Sequence, residues 1–597
     1  MSPSNGAAQI PRKNSVMRAS CLARIFVGLI LLLLGFGEIR AQQDLEGSVP
    51  GNWAASPGSL AISGNHSKIG MQSLRWDWSG GGAITVSSPG ISSADVAGFY
   101  KNTCDLWIWN GTAIPGGKLR IEFMNGSTAQ YWFDVYLDYT GWRRAVRSYT
   151  NDMSKKSNPS ATFTSVRISA PASGSGSFYF DAVTWAGDRF TRFVDGPNPD
   201  IAGYYSSARY SNALATVPDI AATSPTASEL AELATVRARW ISSAKGSSAP
   251  GSSSVNSAGT SFAALNIVDA VTGIRGNPMG PDTPLEGWPL TLARDYSHAT
   301  ATADASRDKM LLLVRHLLDQ GMAYNSSDEF WGGVGDYSFR DLPKGMILMA
   351  DAYDPAVKAQ LWDFMRWHYV MGRFWGTNWE RNTDDMHTGI YQTLGAILLL
   401  TPDDTEAVRM LKGFKRHVER FLVTSQGGED GIKPDGTGFH HRSHYNNYMY
   451  AFPTMSNTLH FLRDTGFQVD LATYQQFRGA FLAMMRMSAD ATGANVGYFG
   501  NSLCGRKAFD TNLTFGRDDL RRLGEWGGRI TGQNADSVVA QAYNRRFGVN
   551  DYSLFAPYGV AAPEDGFHQF SYSPLGIYRR SDWVVSIRAP QKYFWSS

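Results

Sequence analysis

A chain of 597 residues is too long for one ordinary domain and has room for about two to four, each with its own core. Its formal net charge of +2 excludes the strongly basic field used to bind nucleic acid, though a local cationic cleft for a polyanion is compatible with it. Charged residues make up 18 % and aromatic residues 13 %, with 18 Trp and 26 Tyr, so the chain is rich in rings whose first use is to fill cores.

In chain order, residues 1–41 read as an export signal. Arg12, Lys13, Arg18 and Arg24 precede the apolar run 25–36, and Ala41 offers a small residue for cleavage. Met17 is an alternative start that leaves a compact signal layout. The apolar run is too short to span a bilayer comfortably, and no other run approaches the roughly 20 residues required. The mature chain is therefore expected to be secreted or periplasmic, with no integral membrane segment. It keeps Cys104 and Cys504, assigned to different domains, so no disulfide framework is expected.

Residues 42–200 are rich in Gly and Ser and alternate apolar with polar residues at 73–78, 119–123 and 177–183. This period of two predicts a β-sandwich. The segments 68–74 and 180–183 resemble jelly-roll carbohydrate-binding modules. Asp181, near a strand end, is a candidate ligand for a structural calcium, with a turn or solvent contact as the plainer role.

Over 201–545 the period becomes helical, beginning at 227–233. Amphipathic segments follow at 310–318, 356–371, 389–400, 406–422, 457–462 and 474–487, joined by loops rich in Gly, Asp and Asn. Repeated helical hairpins predict a toroid or solenoid. The Ser- and Gly-rich stretch 242–261 reads as a flexible loop. Residues 546–597 return to strands at 576–580 and 583–588, which reads as the start of an unfinished β-domain.

The chemistry concentrates around the glycine-rich loop 427–441, which carries His440 and His441 just before the phenol-rich segment that holds Tyr448. Tyr448, His441 and Arg506 are the candidate catalytic residues; each also has a plain reading as packing, surface or salt-bridge residue. His440 and Lys507 beside them, and Trp331, Trp375 and Trp379 in loops between helices, are candidates for substrate binding. For the tryptophans, helix-end packing is the competing reading. Asn382, Asp384, Asp385 and His387 invite a metal reading, but their spacing matches no firm ligand pattern and helix capping accounts for the acidic pair. No metal or other required cofactor is assigned.

The run 427–437, His441, Tyr448 seven residues later, 462–465, Gly505 and Arg506, with patches at 137–143 and 315–321, resembles chondroitin sulfate ABC lyases. The resemblance spans nearly the whole mature chain. It implies a multidomain α+β protein with an N-terminal jelly-roll β-sandwich (42–200), a central incomplete α/α toroid (201–545) and the start of a C-terminal β-sandwich (546–597). It implies β-elimination on an anionic polysaccharide such as chondroitin or dermatan sulfate, by a protein expected to be a monomer.

Elimination across C4 and C5 of a uronic acid removes a weakly acidic proton beside a carboxylate, whose charge must first be offset. The resemblance gives that task to Arg506. It gives proton transfer to Tyr448, whose ordinary pKa of about 10 requires a cationic neighbour, and orientation of the carboxylate or base work on the opposite C5 epimer to His441. Two departures accompany the match. The family glutamate that follows a Trp-Ser-Ser segment is missing, since the sequence stops at Trp595, Ser596 and Ser597, so a truncated lyase is expected. His440 stands where close relatives carry arginine, and 328–340 lacks an expected histidine, which leaves substrate choice open. A lyase for another uronate polymer such as hyaluronan, a hydrolase using Glu429 and Asp435, and a glycan-binding protein without turnover remain alternatives.

Overall fold

The computed structural model describes residues 45–97, 102–187, 224–270, 273–279, 283–324, 339–369, 371–375, 381–440, 450–489, 501–502, 515–562, 565–572, 575–580 and 583–589. It has a mixed α+β architecture with an N-terminal curled antiparallel sheet and a helical region after it.

The sheet contains β1 (Trp53–Ser63), β2 (Ser73–Ser87), β3 (Thr103–Asn110), β4 (Lys118–Asn125), β5 (Thr128–Tyr136), β6 (Gly141–Ser148), β7 (Ser154–Lys155), β8 (Ser165–Ser169) and β9 (Ser175–Gly187). Their order is β6-β3-β9-β2-β8-β4-β5-β7, with β1 along β2. The curl is written into β2. Its first half pairs with β9, from Leu74 opposite Phe180 to Ser79 opposite Ser175, and its second half pairs with β8, from Ala83 opposite Ser169 to Ser87 opposite Ser165. Between the halves lie Gly80, Gly81 and Gly82. A Cβ at Gly80 would sit 2.7 Å from the Ala172 carbonyl oxygen, and Gly81 has φ +73°, so the change of partner needs residues without side chains.

Alternation decides which face is buried. Leu74, Trp76, Ile84 and Val86 of β2 point inward with Ile121 and Phe123 of β4 and Phe178 and Phe180 of β9, forming one core. All three alternating runs seen in the sequence are strands, within β2, β4 and β9.

The predicted helices are present as Ala303–Asp319, Pro355–His368, Ile390–Leu399, Asp404–Leu422, Phe452–Phe461 and Leu471–Arg486. The stretch 242–261 departs from the expected loop. Helix Ala227–Lys245 runs into it and helix Ser252–Ala263 takes up most of the rest. Val255, Ala258 and Phe262 of the second helix are buried, and three apolar residues on one face outweigh the poor helix propensity of the serines between them.

The helices share one core, in which Trp240 is fully buried and donates from Nε1 to the Tyr391 carbonyl at 3.0 Å. Gly395 lies against its ring; a Cβ there would come within 2.2 Å of Cζ2. Alanine would gain about 1 kcal/mol of helix propensity at this position, yet overpacking against an anchored indole costs more. Gly395→Ala is expected to lose about 1–3 kcal/mol of net stability, seen as a lower thermal midpoint; an unchanged midpoint would show that the ring can yield.

Strands Gly566–Phe570, Leu575–Arg580 and Trp583–Arg588 form a separate antiparallel sheet. One face buries Phe570, Leu575 and Ile577 against Ala483 and Met487, while Phe567, Trp583 and Ile587 are exposed. Among the described residues no helix is long and apolar enough to cross a membrane.

Candidate active site

The glycine-rich loop is a built structure. After helix Asp404–Leu422 the chain turns through Gly427, at φ +52°, into a short hairpin of Gly431–Ile432 and Gly438–Phe439. Lys433 is fully buried beneath it. Its ammonium donates to the Gly427 carbonyl at 3.0 Å and the Glu429 carbonyl at 2.8 Å, and lies 4.4 Å from the Phe439 ring centre. Burial pushes its pKa down to about 8. Asp435 accepts from Thr437 through the backbone N–H at 3.1 Å and the hydroxyl at 2.6 Å, and its other oxygen accepts from the Tyr572 N–H at 2.8 Å. A carboxylate committed to holding a turn is unsuited to serve as one of two facing acids in a hydrolase.

The hairpin delivers His440 into a carboxylate pair. Its Nδ1 lies 2.5 Å from Asp430 Oδ2, and its Nε2 lies 3.1 Å from Asp384 Oδ2. Asp430 Oδ2 also accepts from the Thr383 N–H at 3.1 Å. Asp384 Oδ1 accepts from the Tyr450 hydroxyl. Asp384 sits in the first turn of helix Thr383–Thr388, whose N-cap is Asn382; the Asn382 side chain accepts from the Asp384 N–H at 2.9 Å. The cap is therefore Asn382 and not the acidic pair to which capping was assigned, and the Asp384 carboxylate meets His440 and Tyr450 instead.

These contacts correct the reading of His440 as a substrate-binding residue. It is 3 % exposed, and each ring nitrogen faces a carboxylate of the protein. Burial opposes charging the ring, but hydrogen bonds to Asp384 and Asp430, together with their negative charge, outweigh it and raise the pKa to about 9. His387, whose ring lies 4.6 Å from that of Tyr450, is shifted the other way. Burial and the Arg340 charge lower its pKa to about 4, against the opposing Asp384 charge. At neutral pH the site thus holds an imidazolium and a neutral imidazole on either side of one tyrosine.

The sign of the resulting pH dependence follows from the direction of the His440 shift. A folded pKa above the ordinary 6.5 gives stability that is complete below about pH 6.5 and lost as pH rises through 9. Between pH 7 and 9 the wild type is expected to lose about 2 kcal/mol that a His440→Gln variant does not lose. Denaturant midpoints measured for both proteins across that range provide the check, and parallel curves would contradict it.

Trp375 also departs from its expected role in sugar stacking. It is 4 % exposed and belongs to the helical core. Gly413 makes this possible, since a Cβ there would lie 2.6 Å from the indole, so the ring has no face open to a ligand in this arrangement. His441, Tyr448, Arg506, Lys507, Trp331 and Trp379 lie outside the described residues.

Asp181 does not fit a calcium site. Its Oδ2 accepts from the N–H groups of Lys68 at 2.7 Å and Ile69 at 3.0 Å, and its Oδ1 from that of Ala182 at 2.7 Å. A shell of positive N–H dipoles satisfies an anion and offers a cation nothing. Among the described residues no group of three or more His, Cys, Asp or Glu is arranged to hold a metal.

Sequence reasoning missed the partnership of Asp430, Asp384 and Tyr450 with His440. The available signal was the Asn382–His387 cluster, which was weighed only as a metal site or a cap.

Comparison with known proteins agrees with the order of the parts. A model of a lyase N-terminal domain matches residues 41–195, and a model of a lyase catalytic domain matches residues 289–547. The chain is 26 % identical to the chondroitin sulfate ABC endolyase of Proteus vulgaris over 620 aligned residues, covering 90 % of this chain and 58 % of that protein. It is 23 % identical to the chondroitin sulfate ABC exolyase of Bacteroides thetaiotaomicron, covering 71 % and 45 %. Among solved structures, a chondroitin AC lyase of Streptomyces coelicolor A3 aligns with a TM-score of 0.39 and 13 % identity, over 58 % of this chain and 52 % of that one. The chain spans about half the length of the curated relatives it matches. With the N-terminal and catalytic models matched in order over most of its length, the chain belongs to the polysaccharide lyases similar to chondroitin sulfate ABC lyase.

Proposed function

We propose that this protein cleaves uronic-acid-containing glycosaminoglycans, chondroitin and dermatan sulfate first among them, by β-elimination. The observation that carries this reading is the alignment of 90 % of the chain with a chondroitin sulfate ABC endolyase. The finer architecture belongs to the same proposal: a jelly-roll sandwich, then an incomplete α/α toroid, then the start of a second β-sandwich, in an exported monomer.

In this reading Arg506 offsets the uronate carboxylate, which makes the C5 proton removable. Tyr448, as phenolate, takes that proton. The C5–H electron pair forms the C4=C5 double bond, the C4–O bond breaks, and the released oxygen takes a proton from the tyrosine. His441 orients the carboxylate or serves as base for the opposite epimer. Trp331 and Trp379 stack on sugar rings and Lys507 meets an anionic substituent.

The test is the ultraviolet absorbance of the new conjugated double bond during incubation with chondroitin sulfate, dermatan sulfate and hyaluronan. Rising absorbance on the first two supports the proposal. Turnover of hyaluronan alone would move the substrate to another uronate polymer, and binding without absorbance change on any of the three would make this a glycan-binding protein.

A further inference from the structure

Strands Gly566–Phe570, Leu575–Arg580 and Trp583–Arg588 lie more than a hundred residues beyond the hairpin that delivers His440, yet the sheet they form touches the candidate site at two points. The Tyr450 ring packs against its buried cluster of Phe570, Leu575 and Ile577. Asp435, within the hairpin, accepts from the Tyr572 N–H at 2.8 Å. We infer that this sheet is a clamp: docked, it holds Tyr450 and the His440 hairpin against Asp384, and released, it lets that centre open.

The two contacts reach different oxygens of one carboxylate. Through Tyr450 the sheet acts on Asp384 Oδ1, which accepts from the hydroxyl, and through the hairpin it acts on Oδ2, which meets His440 Nε2 at 3.1 Å. The Tyr450 ring has His387 edge-on at 4.6 Å and the apolar layer of the sheet as its neighbours. That layer continues through Ala483 and Met487 to the hairpin, since a Cβ on Gly436 would lie 2.9 Å from Ala483 Cβ. Hairpin, helix Leu471–Arg486 and sheet are thus packed as one unit, and Asp384 belongs to a separate helix that faces it. A centre made of groups from two bodies keeps its geometry only while the bodies stay together.

The sheet is held by little. Phe570, Leu575 and Ile577 meet only Ala483 and Met487 in their buried cluster, and the other face, with Phe567, Trp583 and Ile587, is exposed. The polar anchor is Arg579, which is 4 % exposed and donates from Nη2 to the Arg486 carbonyl at 2.7 Å and to the Ser488 carbonyl. A guanidinium in this place meets carbonyls at the C-terminal end of helix Leu471–Arg486, where the helix dipole favours a cation. Without it, those carbonyls lose their donor. A unit with few buried apolar contacts opens at lower cost than the whole fold, so docking and release are steps the sheet can take by itself.

Its consequence for turnover rests on reading this centre as part of the active site, so the experiment has one arm that needs no activity. Arg579→Met keeps the aliphatic stem and removes the anchor. Hydrogen–deuterium exchange is expected to rise about tenfold or more in strands Gly566–Phe570 and Leu575–Arg580 and in the hairpin 431–439, with helix Ala227–Lys245 unchanged. The groups facing His440 are Asp384 and Asp430, with the Tyr450 hydroxyl on the far oxygen of Asp384 and His387 beyond that ring. When the clamp opens, water reaches them and both burial and pairing fade, so the His440 ring nitrogens are expected to titrate lower, from about 9 toward the ordinary 6.5. In the absorbance assay kcat is expected to fall about 10–100-fold with KM within about threefold. Ile577→Ala, which thins the buried cluster and leaves Arg579 in place, serves if Arg579→Met does not fold; smaller changes in the same directions are expected. Unchanged exchange in both variants, or raised exchange in the sheet with an unchanged His440 titration, would overturn the clamp. Absence of turnover in the wild type, with exchange and titration behaving as stated, would overturn the catalytic reading and leave the clamp standing.

Discussion

Tyr448→Phe is expected to reduce kcat for elimination by about 10²–10⁴-fold, the range for loss of a general acid or base, with KM within a few-fold. The substitution removes one oxygen, so substrate contacts made by the ring survive, and only the proton-carrying atom is lost. If the phenol serves in both transfers, its loss stops removal of the C5 proton and protonation of the C4 oxygen together, so slow release of product cannot mask the defect. The pH profile separates this from a structural effect. A phenol that works as the phenolate, with an ordinary pKa of about 10, is expected to give the wild type a rate that climbs with pH. The residual rate of the variant should lack this limb. Absorbance assays at saturating and limiting chondroitin sulfate give kcat and KM separately. A variant that keeps a tenth or more of the wild-type kcat would remove Tyr448 from the chemistry.

The sheet was legible because its pattern is local: Leu74, Trp76, Ile84 and Val86 fall at a spacing of two within one strand, and burial of one face is all that alternation has to specify. The helices were legible on the same terms, at a spacing of 3.6. Helix Ser252–Ala263 escaped because Val255, Ala258 and Phe262 are diluted by serine and glycine, and their partners lie on other helices. Of the candidate site, the glycine-rich loop and its histidine were legible, and the partners of that histidine were not. His440 was read as a candidate for substrate binding, and its carboxylate partners went unseen because Asp430 is 10 residues away and Asp384 is 56, and no periodicity links side chains that meet only through tertiary structure. Trp375 was misread for the same reason, since the notch that receives it is made by the absence of a side chain at Gly413. Buried pairings between distant residues are where a single sequence carries least information.

Lys68 presents the second large expected effect, because it is a buried ammonium that crosses from the sheet to the helices. Its side chain is 3 % exposed. Asp181 fixes its backbone from β9, and its Nζ reaches the carbonyl oxygens of Met279 at 2.9 Å and Gln320 at 2.6 Å, with the Trp107 ring centre 4.5 Å away. Beside it, Asp319 accepts from Trp109 Nε1 at 2.9 Å. Burial raises the Asp319 pKa to about 6, even though Trp109 and the Lys68 charge act to lower it. The backbones are in close contact here, since a Cβ at Gly321 would lie 2.9 Å from the Trp107 ring and one at Gly141 would lie 2.6 Å from the Asp319 carbonyl oxygen. Lys68→Met nearly preserves the volume and removes the charge. It takes the ammonium donor from two inward-facing carbonyls and the neighbouring cation from Asp319, for an expected loss of about 3–5 kcal/mol. An acid whose folded pKa is raised weakens the fold as pH climbs from its unfolded value of about 3.9. The variant should therefore lose most stability above pH 6, and adding Asp319→Asn should restore part of it. Tryptophan fluorescence during denaturant unfolding provides the measurement, with Lys68→Met expected to separate one transition into two as the sheet unfolds ahead of the helices. A single transition within about 1 kcal/mol of wild type would show that the carbonyls find other donors, and that the contact between sheet and helices rests on the Trp107 and Trp142 packing alone.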